Sequence, residues 1–259
     1  MGATLASSTA VFGTTEWLLA NGGGQPLQTG DWAFVAANWE VLLLGTVVTI
    51  LLTATSLTLG FLAGFPAGTI EVYGSGWLRE AVSTAGVLLR GTPVVVLIVL
   101  FFFGVPVPRL VSLPVLDVRL DVFLSTTLAL GFRSAAYQSQ VFRGAIQSID
   151  EGQMQAARSV GMSRRQAVRH VIFPQAVRRS VPGFQNEFTI VLKDTSVAFA
   201  IGLAELLTSA ENLYLQPGRD TAIMEVIIAI SAIYFVLTFT TNRTLDYFNE
   251  VYAIPGGER

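Results

Sequence analysis

Between Glu40 and Glu71 the chain carries no charged residue, and the stretch VLLLGTVVTILLTATSLTLGFLAG within it exceeds the roughly 20 residues that a helix needs to cross a bilayer. In hydrocarbon every backbone N–H and C=O must be satisfied internally, so such a run reads as a transmembrane helix. Composition extends the constraint to the whole chain. Of 259 residues, 52% are hydrophobic and 13% charged, whereas a soluble domain carries about 25% charged residues. The expected fold is an all-α membrane protein.

Four more spans follow. The second runs from about Trp77 to Gly104, ends in VVVLIVLFFFG, and is interrupted at Arg90 and at Gly91-Thr92-Pro93. A third extends from near Val122 to near Phe142 with Arg133 inside it. The fourth, from about Val181 to Leu207, carries Glu187, Lys193 and Asp194. The fifth is Met224 to Asn242, bounded by Asp220 and Arg243. Arg143, Arg158, Arg164, Arg165, Arg169, Arg178 and Arg179 stand against only Asp150 and Glu151 between the third and fourth spans, so that segment is expected in the cytoplasm. Residues 1–40 contain no Lys or Arg, which suits an external N-terminus and, with five spans, a cytoplasmic C-terminus. The expected organisation is an external lead-in over residues 1–39, a transmembrane domain over 40–250, and a tail over 251–259. The lead-in holds the flexible Gly22–Gly24 run and Trp17, Trp32 and Trp39 as interfacial anchors. No basic residue precedes position 16, so the N-terminus is read as retained rather than cleaved as a signal peptide.

Several chemistries are excluded. There is no cysteine, and one histidine, His170, cannot supply a multi-histidine metal site. The only lysine, Lys193, follows Leu192, so no phosphate-binding loop of the G-x-x-x-x-G-K-[ST] kind exists and any ATP must be bound by another subunit. A formal net charge of -2 gives no reason to expect a nucleic-acid partner.

The basic loop has internal punctuation. Ser148-x-x-Glu151 fits a capping box, predicting a helix from near Asp150 through QMQAARSV to Gly161, which accommodates a left-handed end. Ser163-x-x-Gln166 is a second box, predicting a helix from about Arg164 to a stop at Pro174. Met154, Ala157 and Val160 share a small apolar face. Two readings fit: a basic loop against lipid headgroups, or a helix that docks into a groove on another protein.

Here the residues acquire a resemblance. QAARSVGMSRRQAVRHVIFP is similar to the EAA loop of type I ABC importer permeases, Glu-Ala-Ala, three residues, Gly, nine residues, Ile-x-Leu-Pro. Ala156, Ala157, Gly161 and Pro174 match, while Gln155, Val171 and Phe173 depart from it. LLRGTPVVVLIVLFFFG, AAYQSQVFRGAIQSI and NEFTIVLKDTSVAFAIGLAEL resemble segments of the polar amino acid branch, the histidine, glutamine and arginine permeases. The resemblance covers roughly residues 40 to 250. It implies a multi-pass permease of the cell membrane, paired with a second copy or a paralogue and working with an external substrate-binding protein. Two cytoplasmic ATPase subunits would bind ATP and magnesium, so no cofactor is expected in this chain. It also implies that the cytoplasmic loop between the third and fourth spans, about residues 148–174, couples to the ATPase through Gln155, Ala156, Ala157, Gly161 and Pro174.

The intramembrane polar residues Arg133, Tyr137, Gln140, Asn186, Glu187, Lys193 and Asp194 are the candidate substrate pathway, since charge at membrane depth normally pairs, faces a bundle interior or lines a route. Glu187 and Asp194, seven residues apart, share a helix face; Lys193 points about 100° away. Arg90 or Arg133 are the expected partners. Arg133 shares a face with Ala136, Tyr137 and Gln140, and Gln140 stands where the family pattern commonly has glutamate. If Arg133 faces a cavity, an anionic or neutral substrate is expected; if it neutralises Glu187 or Asp194, the network is structural. The rival class is an ion-gradient-driven carrier using Glu187 and Asp194 as ion sites, which would have no use for an ATPase dock.

Overall fold

The computed structural model describes residues 31–106, 112–113, 118–216 and 222–251. The Trp17 and Gly22–Gly24 features of the lead-in and the tail beyond residue 251 lie outside them.

A short helix α1 (Asp31–Ala37) leads into α2 (Trp39–Tyr73), the first expected span. Residues Leu42, Gly45, Thr49, Leu52, Ser56, Gly60, Gly64, Gly68 and Glu71 recur every three or four positions and are buried, as one face of a helix must be. Leu43, Leu44, Leu51 and Leu62 on other faces are exposed, so α2 is apolar almost all round. Threonine hydroxyls return to the preceding turn, as when Thr53 Oγ1 donates to the Thr49 carbonyl at 2.7 Å, and so need no water.

The buried face meets α5 (Leu120–Gln147) along most of its length. Contact is close because the facing residues are small. A Cβ on Gly64 would lie 2.7 Å from the Ala135 carbonyl oxygen, and one on Gly68 2.6 Å from that of Ser139. Small residues at four-residue spacing let two helix backbones approach where no hydrophobic force drives them together.

The interrupted second segment forms α3 (Gly76–Gly91) and α4 (Val94–Gly104), bent by 112° at the break. Pro93 excludes the helical conformation from the residue before it, and Thr92 is extended at φ -88°, ψ 132°. A two-residue antiparallel pair, β1 (Ser112–Leu113) and β2 (Val118–Arg119), precedes α5. Asp121 accepts from Arg119 at 2.6 Å there and holds the guanidinium above its ordinary pKa.

After α5 come α6 (Glu151–Ser159) and α7 (Arg164–Ala167). Gly161 between them has φ +90°, the left-handed turn expected of it, and the Ser163–Gln166 capping box is formed. The first box is not: Asp150 caps α6 by accepting from the Gly152 N–H, while the Ser148 hydroxyl turns back to the Ala145 carbonyl. The nearer carboxylate outcompetes the hydroxyl. Pro174 does not stop the helix either. Residues Val168–Ile172 widen into a π turn in which the Phe173 N–H reaches the Val168 carbonyl, and the chain runs on as α8 (Phe173–Asp194) with Pro174 in its first turn. The wider turn accommodates the proline ring and its missing donor.

The fourth expected span is likewise not one helix. α8 ends at Asp194, a tighter 3₁₀ turn follows over Thr195–Ile201, and Gly202 at φ +77° reverses the chain. Then α9 (Leu206–Tyr214) begins, capped by the fully buried Glu205, which accepts from the N–H groups of Leu207 and Thr208 and from the Tyr234 hydroxyl. α10 (Ile223–Val251) completes the described chain. Among the described residues, α2 and the stretch Ile223–Tyr247 are each long and apolar enough to cross a membrane, and the bent pair α3 and α4 qualifies as one unit. Three apolar clusters hold these helices, centred on Leu52, Ile98 and Leu130, on Leu42, Leu206 and Val226, and on Ile146, Ile172 and Ala176.

Candidate functional site

Helix periodicity places Arg133, Tyr137 and Gln140 on one side of α5, and Glu187 and Asp194 on one side of α8. The two helices pack together. Arg133 Nη1 donates to Asp194 Oδ2 at 2.5 Å, and the same guanidinium stands 5.0 Å from the centre of the Tyr137 ring. Both charged side chains keep some accessibility, 17% for Arg133 and 22% for Asp194. Glu187 is buried beside them, with Arg133, Ser134 and Asp194 as its electrostatic neighbours. Its Oε1 and the Arg133 Nε are buried without a hydrogen-bond partner. The cluster therefore holds two carboxylates and one guanidinium, and that guanidinium is already engaged. It is not the free anion receptor that one reading of the sequence requires.

The remaining expected members go elsewhere. Gln140 donates to both oxygens of the buried Glu71, at 2.8 and 3.1 Å, and Arg143 reaches the same carboxylate at 3.3 Å. Arg90, the other suggested counter-ion, donates to the Ala136 carbonyl at 2.7 Å and so fastens the broken helix to α5. Asn186 and Lys193 are exposed, on a face of α8 turned away from Glu187 and Asp194. Glu71 is the functional-looking residue that sequence reasoning passed over. Its signal was available: it ends the uncharged run, in phase with the buried face of α2.

The loop residues divide in the same way. Gln155, Ala156, Gly161 and Pro174 are exposed, while Ala157 is buried beneath them. Met154 packs on the third apolar cluster, but Val160 is 74% exposed and takes no part in the face predicted for it. A cleft of about 390 Å³ separates the end of α2 from α6, lined by Tyr73, Asp150, Glu151, Met154, Gln155 and Arg164. Arg164 lies over the Tyr73 ring at 5.3 Å, which ties the loop to α2. Among the described residues no group of His, Asp and Glu is placed to hold a metal ion. What the arrangement offers is charge held within a helix bundle, and a short helix with an exposed face.

The chain is similar to known proteins over most of its length. Residues 56–250 match the family described as the binding-protein-dependent transport system inner membrane component. The glutamine transport system permease protein GlnP of Escherichia coli (strain K12) is 30% identical over 216 residues, covering 83% of this chain and 94% of that protein. The octopine transport system permease protein OccQ of Rhizobium meliloti is 32% identical over 206 residues, covering 78% of this chain and 86% of its own length. A crystal structure of an amino acid ABC transporter with histidines superposes with a TM-score of 0.71 at 30% identity, covering 83% of this chain and 96% of that one. The MetNI methionine ABC transporter shares the fold alone, at a TM-score of 0.65 and 19% identity.

Proposed function

Because the chain belongs to the family of binding-protein-dependent transport system inner membrane components, we propose that its Arg133, Glu187 and Asp194 cluster lines the translocation pathway and that residues 151–167 couple it to an ATPase. The chain is the permease subunit of an ABC amino acid importer of the inner membrane, a transporter class that works with an ATPase and a binding protein. An ion-gradient carrier is not favoured by this membership.

Five crossings account for the helices: α2, the bent pair α3 and α4, α5, α8 with its 3₁₀ extension, and α10. α5 and α8, at 28 and 22 residues, span about 42 and 33 Å at 1.5 Å per residue, enough for a hydrocarbon core of about 30 Å. Arg133, Gln140, Glu187 and Asp194 on these helices face neighbouring helices, so polar residues at membrane depth lower the hydropathy of both. The arginine-rich loop then lies in the cytoplasm, with the N-terminus outside and the C-terminus inside. The chain itself performs no covalent chemistry; ATP and magnesium are handled by the ATPase. Two permease subunits, identical or paralogous, complete the pathway. ATP favours one conformation by differential binding, and α6 passes that preference to the helices that carry the cluster.

The observation that carries the substrate reading is the Arg133–Asp194 pair with Glu187 beside it. The ammonium of a zwitterion can be drawn to the carboxylates, which outnumber the one guanidinium that Asp194 already holds. An extra negative charge on the substrate would meet a cluster already richer in carboxylate, so a neutral or basic polar amino acid is expected ahead of an acidic one. The test is competition for uptake into reconstituted vesicles by unlabelled glutamine, histidine and arginine against glutamate and aspartate. Strongest inhibition by glutamate or aspartate would reject this reading.

A further inference from the structure

A second polar feature lies apart from the pathway cluster. A cavity of about 450 Å³ is lined by Thr69 and Tyr73 of α2, by Arg164 and Arg165 of α7, and by Val168 and Arg169 of the π turn. All three arginines are exposed, and among the described residues none of them lies within salt-bridge distance of a carboxylate. Arg164 is held in place by stacking on Tyr73. The capping box at Ser163 and the π turn fix the two helical segments that project Arg165 and Arg169 into the same space. Three guanidinium groups around one hollow make a receptor for a polyoxyanion, because each presents a planar fork that fits two phosphate oxygens.

The position of the hollow selects the source of that anion. Thr69 lies inside the uncharged run that ends at Glu71, and Tyr73 lies just beyond it, so the cavity straddles the boundary between hydrocarbon and water. Leu62, Pro66, Thr69 and Tyr73 follow one another on one face of α2, and Leu62 and Pro66 are exposed. An apolar track therefore descends into the bilayer directly below the basic cavity. A free phosphate would use only the cavity. A phospholipid uses both, and basic pockets at this level between helices bind anionic headgroups.

We propose that the cleft between the end of α2 and the segment Arg164–Arg169 is a binding site for one anionic phospholipid, its headgroup phosphate held by Arg164, Arg165 and Arg169 and its acyl chain laid along Leu62 and Pro66. The site shares Arg164 and Arg165 with the end of the segment assigned to coupling, so the lipid braces α7 against α2. The proposal rests on the inner-membrane placement of the chain and not on the substrate reading.

The experiment is native mass spectrometry of the assembled importer, delipidated and then titrated with phosphatidylglycerol or with phosphatidylcholine of the same acyl chains. One phosphatidylglycerol retained per permease chain, in preference to phosphatidylcholine, is the expected result, and millimolar inorganic phosphate should not displace it. R165Q/R169Q should weaken retention roughly 30-fold, the effect of removing two basic contacts near a membrane surface, and R165K/R169K should fall between. Equal retention of the two lipids, displacement by inorganic phosphate, or unchanged retention in R165Q/R169Q would each overturn the proposal. If R165Q/R169Q instead sheds the ATPase while lipid retention holds, the arginines serve an acidic surface on that subunit. The comparison of the two lipids on the unaltered protein needs no variant and stands even if one fails to fold.

Discussion

Arg133 and Asp194 are each tolerable within the helix bundle only because the other is there, and that dependence is measurable. R133Q leaves Asp194 and the buried Glu187 as two carboxylates without a cation. Loss of one partner from such a pair costs roughly 3 kcal/mol. D194N strands the guanidinium in the same way, whereas R133Q/D194N removes both charges and should recover part of the loss, with a coupling of about 1–3 kcal/mol. Thermal unfolding of the solubilised protein, followed by size-exclusion fluorescence, reads this cycle, and strictly additive losses would show that the 2.5 Å contact contributes nothing. Part of this cluster is legible in the chain: the seven-residue spacing puts Glu187 and Asp194 on one face, and Arg133 is one of two cations well inside the other spans, with Arg90. Which cation pairs is not legible, because that depends on how α5 lies across α8. The Glu71, Gln140 and Arg143 group is the product of another crossing, that of α2 on α5, and joins residues some seventy positions apart.

Helices here are positioned by what they lack as much as by what they carry. Gly64 and Gly68 face backbone oxygens of α5 that cannot give way, so Gly64→Leu should separate α2 from α5 and abolish monodisperse expression, while replacement of the exposed Leu62 by alanine should not. Recovery of G64L as a stable, monodisperse protein would mean that the close approach is not required. Gly161 has a different constraint. An added Cβ there would meet nothing within 4 Å, but φ is +90°, so a side chain is opposed by backbone strain of about 1–2 kcal/mol and not by crowding. Gly161→Val should therefore leave the protein folded yet uncouple ATP hydrolysis from transport, and Gly161→Asn, which tolerates left-handed geometry better, should uncouple it less. Full transport by G161V would remove the turn from the coupling path. This turn and the Ser163 cap follow from local chemistry, and both were readable. The run-through at Pro174 was not, since the π turn that accommodates it depends on Ile172 and Ala176 being drawn into the third apolar cluster. The break after Asp194 was hidden for a related reason: TSVAFAIG is apolar enough to continue a helix, and it is Gly202 and the buried cap at Glu205 that redirect it.

At the scale of the molecule, the helices form a scaffold that encloses charge at one level and leaves the short helix α6 largely exposed at another. The bent pair α3 and α4, the crossing of α2 on α5 and the anchoring of Arg164 on Tyr73 connect the two levels through packed elements rather than through a flexible linker. On the proposed mechanism, a partner that moves α6 would change the side to which the cluster opens, and the sequence contains no nucleotide-binding loop of its own. As a member of a binding-protein-dependent transport family, the chain is expected to draw its energy from a partner ATPase rather than from an ion gradient. The direct test is amino acid uptake into sealed vesicles holding the permease, its ATPase and the binding protein, with ATP supplied on the ATPase side and proton and sodium gradients collapsed by ionophores. Uptake should persist, stop when ATP is omitted, and stop again when the ATPase is inactivated. Uptake that follows an imposed proton or sodium gradient and ignores ATP would contradict the account.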